Sequence, residues 1–304
     1  MKRALPGRPR IFRDSIHGDI GYAKGDFLSL VESILGTRMF QRLRHIRQNG
    51  VLNLVFHGAE HSRFSHSMGV AWVASKIFDT AYRNTADPSV CENREQDRED
   101  TILAALLHDV GHGPFSHTLE DILKSLSVPV KLDHEEMTRR ILVEDGSEIA
   151  RVLGERGARL VPFIDKSMRE PNKWLYSIVS SALDADRLDY LLRDSTMAGV
   201  WTNHFDLGRL IEALGIKNDE IVIDVRARDV VENYLLAMEQ MYASVYYHHT
   251  NRAASFLLRS VVARAVDVAR ADKSQQTNLF PARCGDIDPL WQTVNKGQTV
   301  PLAV

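Results

Sequence analysis

Apolar residues recur along most of this chain at the three- and four-residue spacing of helices that bury one face. Residues 27–35 form one such stretch. A second, begun near Thr37, sets Phe40, Leu43 and Ile46 on a single face. Val70, Val73, Ala74 and Ile77 make the stripe of a third helix reaching about 82, for which Ser65 is the expected N-cap. Further helices are predicted at 98–109, from Pro114 to about 126, from a cap at Asp133 to 143, from 171 through 180, and from Asp184 through Leu188, Leu191 and Leu192. The longest, 227–268, holds Tyr242, Tyr246, Tyr247, His248 and His249 in its middle and is expected to break once.

The period changes in a few places. Residues 11–25, with Asp14, Gly18 and Gly21, read as a short strand and turn, and 214–225 as a hairpin about Asn218-Asp219. Residues 51–56 read as a short strand or extended loop, and the charged, aperiodic 87–100 as a surface loop. From 271 onward the polar composition and Pro281, Pro289 and Pro301 predict a loose tail, 271–304. The expected class is all-α with a few short strands or one small hairpin. One domain is expected over 1–270, made of a helical core at about 27–213, the hairpin at 214–225 and the long helical segment at 227–268.

Composition changes this picture little. The chain has 304 residues, 44% hydrophobic and 26% charged, which is ample for one large core. A formal charge of -2 gives no global pull toward nucleic acid or anionic lipid, although Arg42, Arg44 and Arg47 could form a local basic patch. Cys91 and Cys284 are far apart, which disfavours a disulfide framework or thiolate zinc site and fits an intracellular, cytoplasmic protein. The basic start leads into no apolar segment of the signal-peptide kind, and no run reaches membrane-spanning length, so no membrane partner is expected.

Chemistry concentrates in one window, Leu107-His-Asp-Val-Gly-His-Gly-Pro-Phe-Ser-His117, which closes an apolar helix with His108 and Asp109. An imidazole beside a carboxylate is costly to bury unless something positive satisfies both, and a divalent metal does so. Glycines flanking His112 would let the backbone approach a ligand. His66 and Asp186 fall at the starts of two other predicted helices, so helix ends could bring four ligands together: His66, His108, Asp109 and Asp186. Such a mixed imidazole–carboxylate set suits Mn, Fe, Zn, Ni or Mg and leaves positions for water and phosphate oxygens.

On these motifs, with Arg13-Asp-Ser-Ile-His-Gly18, Phe40-Gln-Arg-Leu-Arg-His-Ile-Arg-Gln48, Asp133-His-Glu135 and Leu183-Asp-Ala-Asp-Arg-Leu-Asp-Tyr190, the chain resembles the HD-domain phosphohydrolases. Within them it is most similar to the branch of bacterial and animal deoxynucleoside triphosphate triphosphohydrolases, over roughly 14–251. The resemblance implies a helical HD-domain fold and one divalent ion on His66, His108, Asp109 and Asp186. It implies His112, His117, Glu120 and His134 around the scissile phosphate, Arg63 on phosphate, and Gln48, Tyr190, Asp194 and Tyr246 along the sugar and base. Glu120 stands where the branch usually carries aspartate, which lengthens the reach of its partnership with His134.

The implied substrate is a nucleotide, dNTP in this branch, and nucleotide-driven homo-oligomers occur in it. Plainer readings stand beside these: His134 as a solvated helix residue, Arg63 paired with Glu60, and Tyr190 and Tyr246 as core filling. His57, His61, His248 and His249 receive no role. Two alternative functions remain open at this level: a nucleoside mono- or diphosphate phosphatase or phosphodiesterase on the same scaffold, and a nucleotide-sensing or nucleic-acid-binding protein with little turnover.

Overall fold

The computed structural model describes residues 10–22, 25–85, 87–91, 93–115, 118–121, 133–170, 174–201 and 205–271. The predicted tail, the second half of the helix expected after Pro114, and His117 lie outside the described residues.

Strands β1 (Arg10–Asp14) and β2 (Gly18–Tyr22) pair antiparallel, Asp14 opposite Gly18. The Asp14 carboxylate accepts the backbone N–H groups of Ile16 and His17 at 2.9 and 3.0 Å, and Gly18 closes the turn at φ 71°. Helices α1 (Asp26–Gly36) and α2 (Arg38–Gln41) follow, the latter capped by Thr37; the helix expected to carry Phe40, Leu43 and Ile46 tightens into a 3₁₀ turn at Arg42–His45 and ends before Ile46. The 51–56 stretch forms a 3₁₀ turn at Leu52–Leu54.

Helix α3 (Arg63–Arg83) is the centre of the fold and is buried nearly all round. Its N-cap is Ser62, whose hydroxyl accepts from Ser65 N, and not Ser65 as the sequence suggested. The helix therefore begins three residues earlier, and Arg63 and His66 both lie in or next to its first turn. Helix α4 (Arg94–Leu107), capped by Asn93, packs alongside. The sequence places 94–97 in a loop, because no apolar stripe runs through them. Polar contacts replace that stripe: Arg94 lies over the Tyr82 ring at 4.6 Å, and Asp97 accepts from Cys91 Sγ at 3.0 Å.

Helix α5 (His134–Val143) starts at the expected Asp133 cap, which accepts from Glu136 N. Helices α6 (Glu148–Leu153) and α7 (Arg156–Ile164) are too short to show a clear period in sequence and were not anticipated. Helix α8 (Trp174–Val179) lies where 171–180 predicts one. Helix α9 (Ala185–Ala198) is capped by Asp184 as expected, ends at a left-handed Gly199, and packs on α3. A short α10 (Leu207–Glu212) leads to β3 (Leu214–Lys217) and β4 (Glu220–Ile223), the expected hairpin. Positive φ at both Asn218 and Asp219 is the two-residue turn that matches strand twist.

The long C-terminal segment breaks once, as anticipated. Helix α11 (Arg228–Met241) passes into a π turn at Tyr242–Tyr246, then helix α12 (His249–Ala271). The fold among the described residues is predominantly helical with two small antiparallel strand pairs. Among the described residues no helix is long and apolar enough to cross a membrane.

Candidate metal centre

Three helix ends meet over one hollow. The start of α3 supplies His66, the end of α4 supplies His108 and Asp109, and the first turn of α9 supplies Asp186. His66 Nε2 lies 3.0 Å from Asp186 Oδ1 and 3.6 Å from Asp109 Oδ2. His108 Nε2 lies 3.3 Å from Asp109 Oδ1 and 3.5 Å from Asp186 Oδ1. All four predicted ligands thus converge.

The other ring nitrogens decide what the hollow accepts. His66 Nδ1 donates to Asp189 Oδ2 at 2.8 Å, and His108 Nδ1 donates to the Ala105 carbonyl at 2.8 Å. Each ring therefore turns Nε2 inward, and both Nε2 atoms are buried without a well-formed hydrogen bond. Two inward imidazole nitrogens with the Asp186 carboxylate, and Asp109 alongside, fit a divalent cation. Charge balance agrees. Burial opposes ionisation of His66, yet Asp186 and Asp189 outweigh it and raise its pKa to about 10, so a proton takes Nε2 until a cation displaces it. Burial would raise the Asp186 carboxyl, but His108 and His66 hold it below the ordinary carboxylate range. The hollow selects positive charge.

The backbone of 108–112 is stitched to α5. Thr138 Oγ1 accepts from Gly111 N at 3.0 Å and donates to the His108 carbonyl at 3.1 Å. A Cβ on Gly111 would lie 2.3 Å from the His134 carbonyl oxygen. The glycine admits a neighbouring helix, then, and not a ligand as its place beside His112 suggested. Arg42 closes the other side, donating to the carbonyls of His112, at 2.7 Å, and Val110.

Next to the hollow, Glu120 gathers two histidines. His112 Nδ1 is 3.0 Å and His134 Nδ1 3.2 Å from its carboxylate. The two rings stack at 3.9 Å and 12°. These three residues have the proximity of a metal site. Stacked rings, however, send their in-plane lone pairs along parallel lines that do not meet, so a shared cation would sit outside both planes. A shared carboxylate acceptor fits them better, which leaves the hollow as the site that fits one ion. His134 is partly covered and tied to Glu120, unlike a solvated face residue.

Arg63 pairs with Asp109, while Glu60 takes Arg47 at 2.5 Å. The same guanidinium reaches the Gln48 carbonyl at 3.5 Å, joining the hollow to a neighbouring cavity of about 490 Å³. Gln48, Phe115, Tyr246, Tyr247, Arg252 and Arg259 are among its walls. Tyr190 and Asp194 stand behind this wall. Asp194 is 1% exposed, held by His61 Nε2 at 2.7 Å and by the Tyr246 hydroxyl at 2.6 Å. Tyr190 meets the Tyr246 ring edge-on at 6.2 Å.

Sequence reasoning gave His61 and Asp189 no role. For Asp189 a signal existed: it and Arg193 interrupt the stripe of Leu188, Leu191 and Leu192 on α9, and both are fully buried. A charged pair four residues apart inside an apolar stripe marks a network. His61 had no such mark.

The chain matches the family described as HD domain over residues 63–194, the segment that carries all four converging ligands, and an HD associated region over 205–296. It is 37% identical to the uncharacterized protein YwfO of Bacillus subtilis over 84% of this chain and 56% of that protein. It is 29% identical to the deoxynucleoside triphosphate triphosphohydrolase SAMHD1 homolog of Dictyostelium discoideum, over 84% of this chain and 49% of that protein. A crystal structure of a phosphohydrolase from Bacteroides thetaiotaomicron superposes with a TM-score of 0.72 at 32% identity, covering 86% of this chain and 60% of that one. The chain spans about half the length of the curated relatives it matches. With the domain match seated on the metal hollow and the fold shared along most of its length, this chain belongs to the HD-domain metal-dependent phosphohydrolase superfamily.

Proposed function

We propose that the protein hydrolyses nucleotides, and specifically that it cleaves a deoxynucleoside triphosphate to the deoxynucleoside and inorganic triphosphate. The observation that carries the reading is the pair of inward, unpartnered Nε2 atoms on His66 and His108 facing Asp109 and Asp186. A cation bound there would supply an activated water and polarise a phosphoryl oxygen.

The chain's own residues supply the rest. Arg63 bridges Asp109 and the Gln48 carbonyl, and from there its guanidinium would neutralise non-bridging phosphate oxygens. Glu120 orients His134 by accepting from Nδ1, which turns Nε2 away from the carboxylate. His112, His134 and, outside the described residues, His117 are the groups proposed to bind phosphate or protonate the departing oxygen. The cavity is of a size for a nucleoside and has aromatic walls for a base and arginines near its rim. Tyr246, fixed by its bond to Asp194, would line the sugar. Support for the dNTP choice comes also from the name of the Dictyostelium relative.

The experiment is product identification. Purified protein is supplied with divalent metal and offered dNTPs, NTPs, nucleoside monophosphates and a generic phosphodiester. Inorganic triphosphate and deoxynucleoside in equal amounts are expected from dNTPs. Release of orthophosphate or pyrophosphate instead would overturn the triphosphohydrolase reading.

A further inference from the structure

We infer that the turn of the N-terminal hairpin is a positioning element of the metal centre: His17 and Asp14, acting through Asp189 and Arg193, fix the orientation of His66. The inference rests on the reading of His66, His108, Asp109 and Asp186 as metal ligands.

Asp189 carries the argument. It is fully buried at the middle of α9 and receives four donors. His17 Nε2, at 2.6 Å, and an Arg193 terminal nitrogen, at 2.9 Å, reach Oδ1. His66 Nδ1 and Arg193 Nε, both at 2.8 Å, reach Oδ2. An ionised carboxylate offers about four lone-pair positions, so this one is saturated and has no freedom to rotate. Its rigidity passes to His66, whose ring plane and tautomer are set by that Nδ1–H bond.

The hairpin enters through two of the three donor residues. His17 is one directly. Arg193 is the other, because its two terminal nitrogens also hold the Asp14 carboxylate at 3.0 and 3.2 Å. Asp14 in turn accepts the backbone N–H of His17, so the same aspartate that grips Arg193 also aims the imidazole. Two carboxylates share one buried guanidinium, which leaves one negative charge beside His66. Gly69 on α3 makes the approach possible: a Cβ there would lie 1.9 Å from Asp189 Oδ1 and 2.4 Å from Arg193. The segment Asp14-Ser-Ile-His-Gly18 thus braces a ligand about fifty residues further along the chain.

The test uses the full chain, stripped of metal by chelation and then titrated with Mn²⁺ against a competing chelator. His17→Ala is expected to weaken Mn²⁺ binding about 10–100-fold, the usual effect of losing a partner behind a metal ligand. It is expected to leave the melting temperature of the stripped protein near that of wild type. His17→Gln retains a donor for Asp189 and should recover most of the affinity. The visible spectrum of the Co²⁺-substituted protein should shift in His17→Ala, because the ligand field reports the orientation of His66.

Unchanged Mn²⁺ affinity and an unchanged Co²⁺ spectrum would overturn the inference. So would a lower melting point of the stripped protein with its metal affinity intact, since a purely structural hairpin predicts that pattern. If His17→Ala does not fold, Asp14→Asn, which keeps the turn's acceptor oxygen but loses the full charge pair with Arg193, carries the same measurements. His108→Ala is the reference. Wild-type Mn²⁺ affinity in that variant would defeat the metal reading itself. Loss there with no loss in the His17 and Asp14 variants would defeat only the present inference.

Discussion

His66 and Asp189 stand 2.8 Å apart, Nδ1 against Oδ2, and both are fully buried. This bond fixes which nitrogen of His66 faces the hollow. A buried carboxylate behind a histidine raises the basicity of the ligand and holds its ring in place. The site therefore depends on packing between α3 and α9 as much as on the four converging side chains.

That packing tolerates no side chain at position 69. Gly69→Ala forces a methyl group into Asp189 Oδ1 and Arg193, and the Asp189 carboxylate has nowhere to move. The expected cost is about 1–3 kcal/mol of folding stability from overpacking, read by urea denaturation, with reduced metal content in the folded fraction. Wild-type stability would show that α3 and α9 can separate freely.

Glu120 and His134 are expected to act on turnover and not on metal. Glu120→Gln and His134→Ala should lower kcat by roughly 10²–10⁴-fold, the range for a general acid–base group or its partner, with bound metal unchanged by elemental analysis. Loss of metal in either variant would place the Glu120 cluster among the ligands instead.

Tyr246→Phe deletes the hydroxyl that donates to Asp194 at 2.6 Å while keeping the ring against Tyr190. A hydrogen bond of this kind, made to a buried carboxylate, is worth about 1.5–3 kcal/mol. The expected result is a KM for dNTP raised about tenfold or more with little change in kcat. An unaltered KM would remove Tyr246 from the sugar pocket.

Thr138→Val keeps the volume on α5 but removes the hydroxyl that ties Gly111 N to the His108 carbonyl. Leaving both backbone groups without that partner should cost about 1–3 kcal/mol. It should also loosen the 108–111 turn, so that metal dissociates faster in a chelator-competition assay. A dissociation rate equal to wild type would show that the turn is held by other contacts.

The legible part of the fold was the part with simple periodicity and strong caps. Asp133 caps the helix its position foretells, helices begin beside Thr37 and Asp184 where expected, and Asn218-Asp219 makes the expected hairpin turn. The first turn of α4 was hidden because it is held by polar contacts, Arg94 over Tyr82 and Asp97 on Cys91, that leave no apolar stripe. The start of α3 was misplaced because Ser62 and Ser65 are equally good caps on paper, and only the chain's path chooses between them. At the site, helix-end placement was enough to gather His66, His108, Asp109 and Asp186. Of the bracing behind them only the Asp189–Arg193 pair left a mark in the sequence, and its link to the hairpin left none. His17 and Asp189 are 172 positions apart, and no local pattern announces a contact at that distance.

The most direct test of the account is metal stoichiometry. Wild-type protein and the variants His66→Ala, His108→Ala and Asp186→Ala are purified in parallel, equilibrated with Mn²⁺, passed through a desalting column and assayed for metal and folded protein. The account predicts close to one ion per wild-type chain and almost none in the three variants while each stays folded. Equal metal in wild type and variants, or none in any of them, would contradict it.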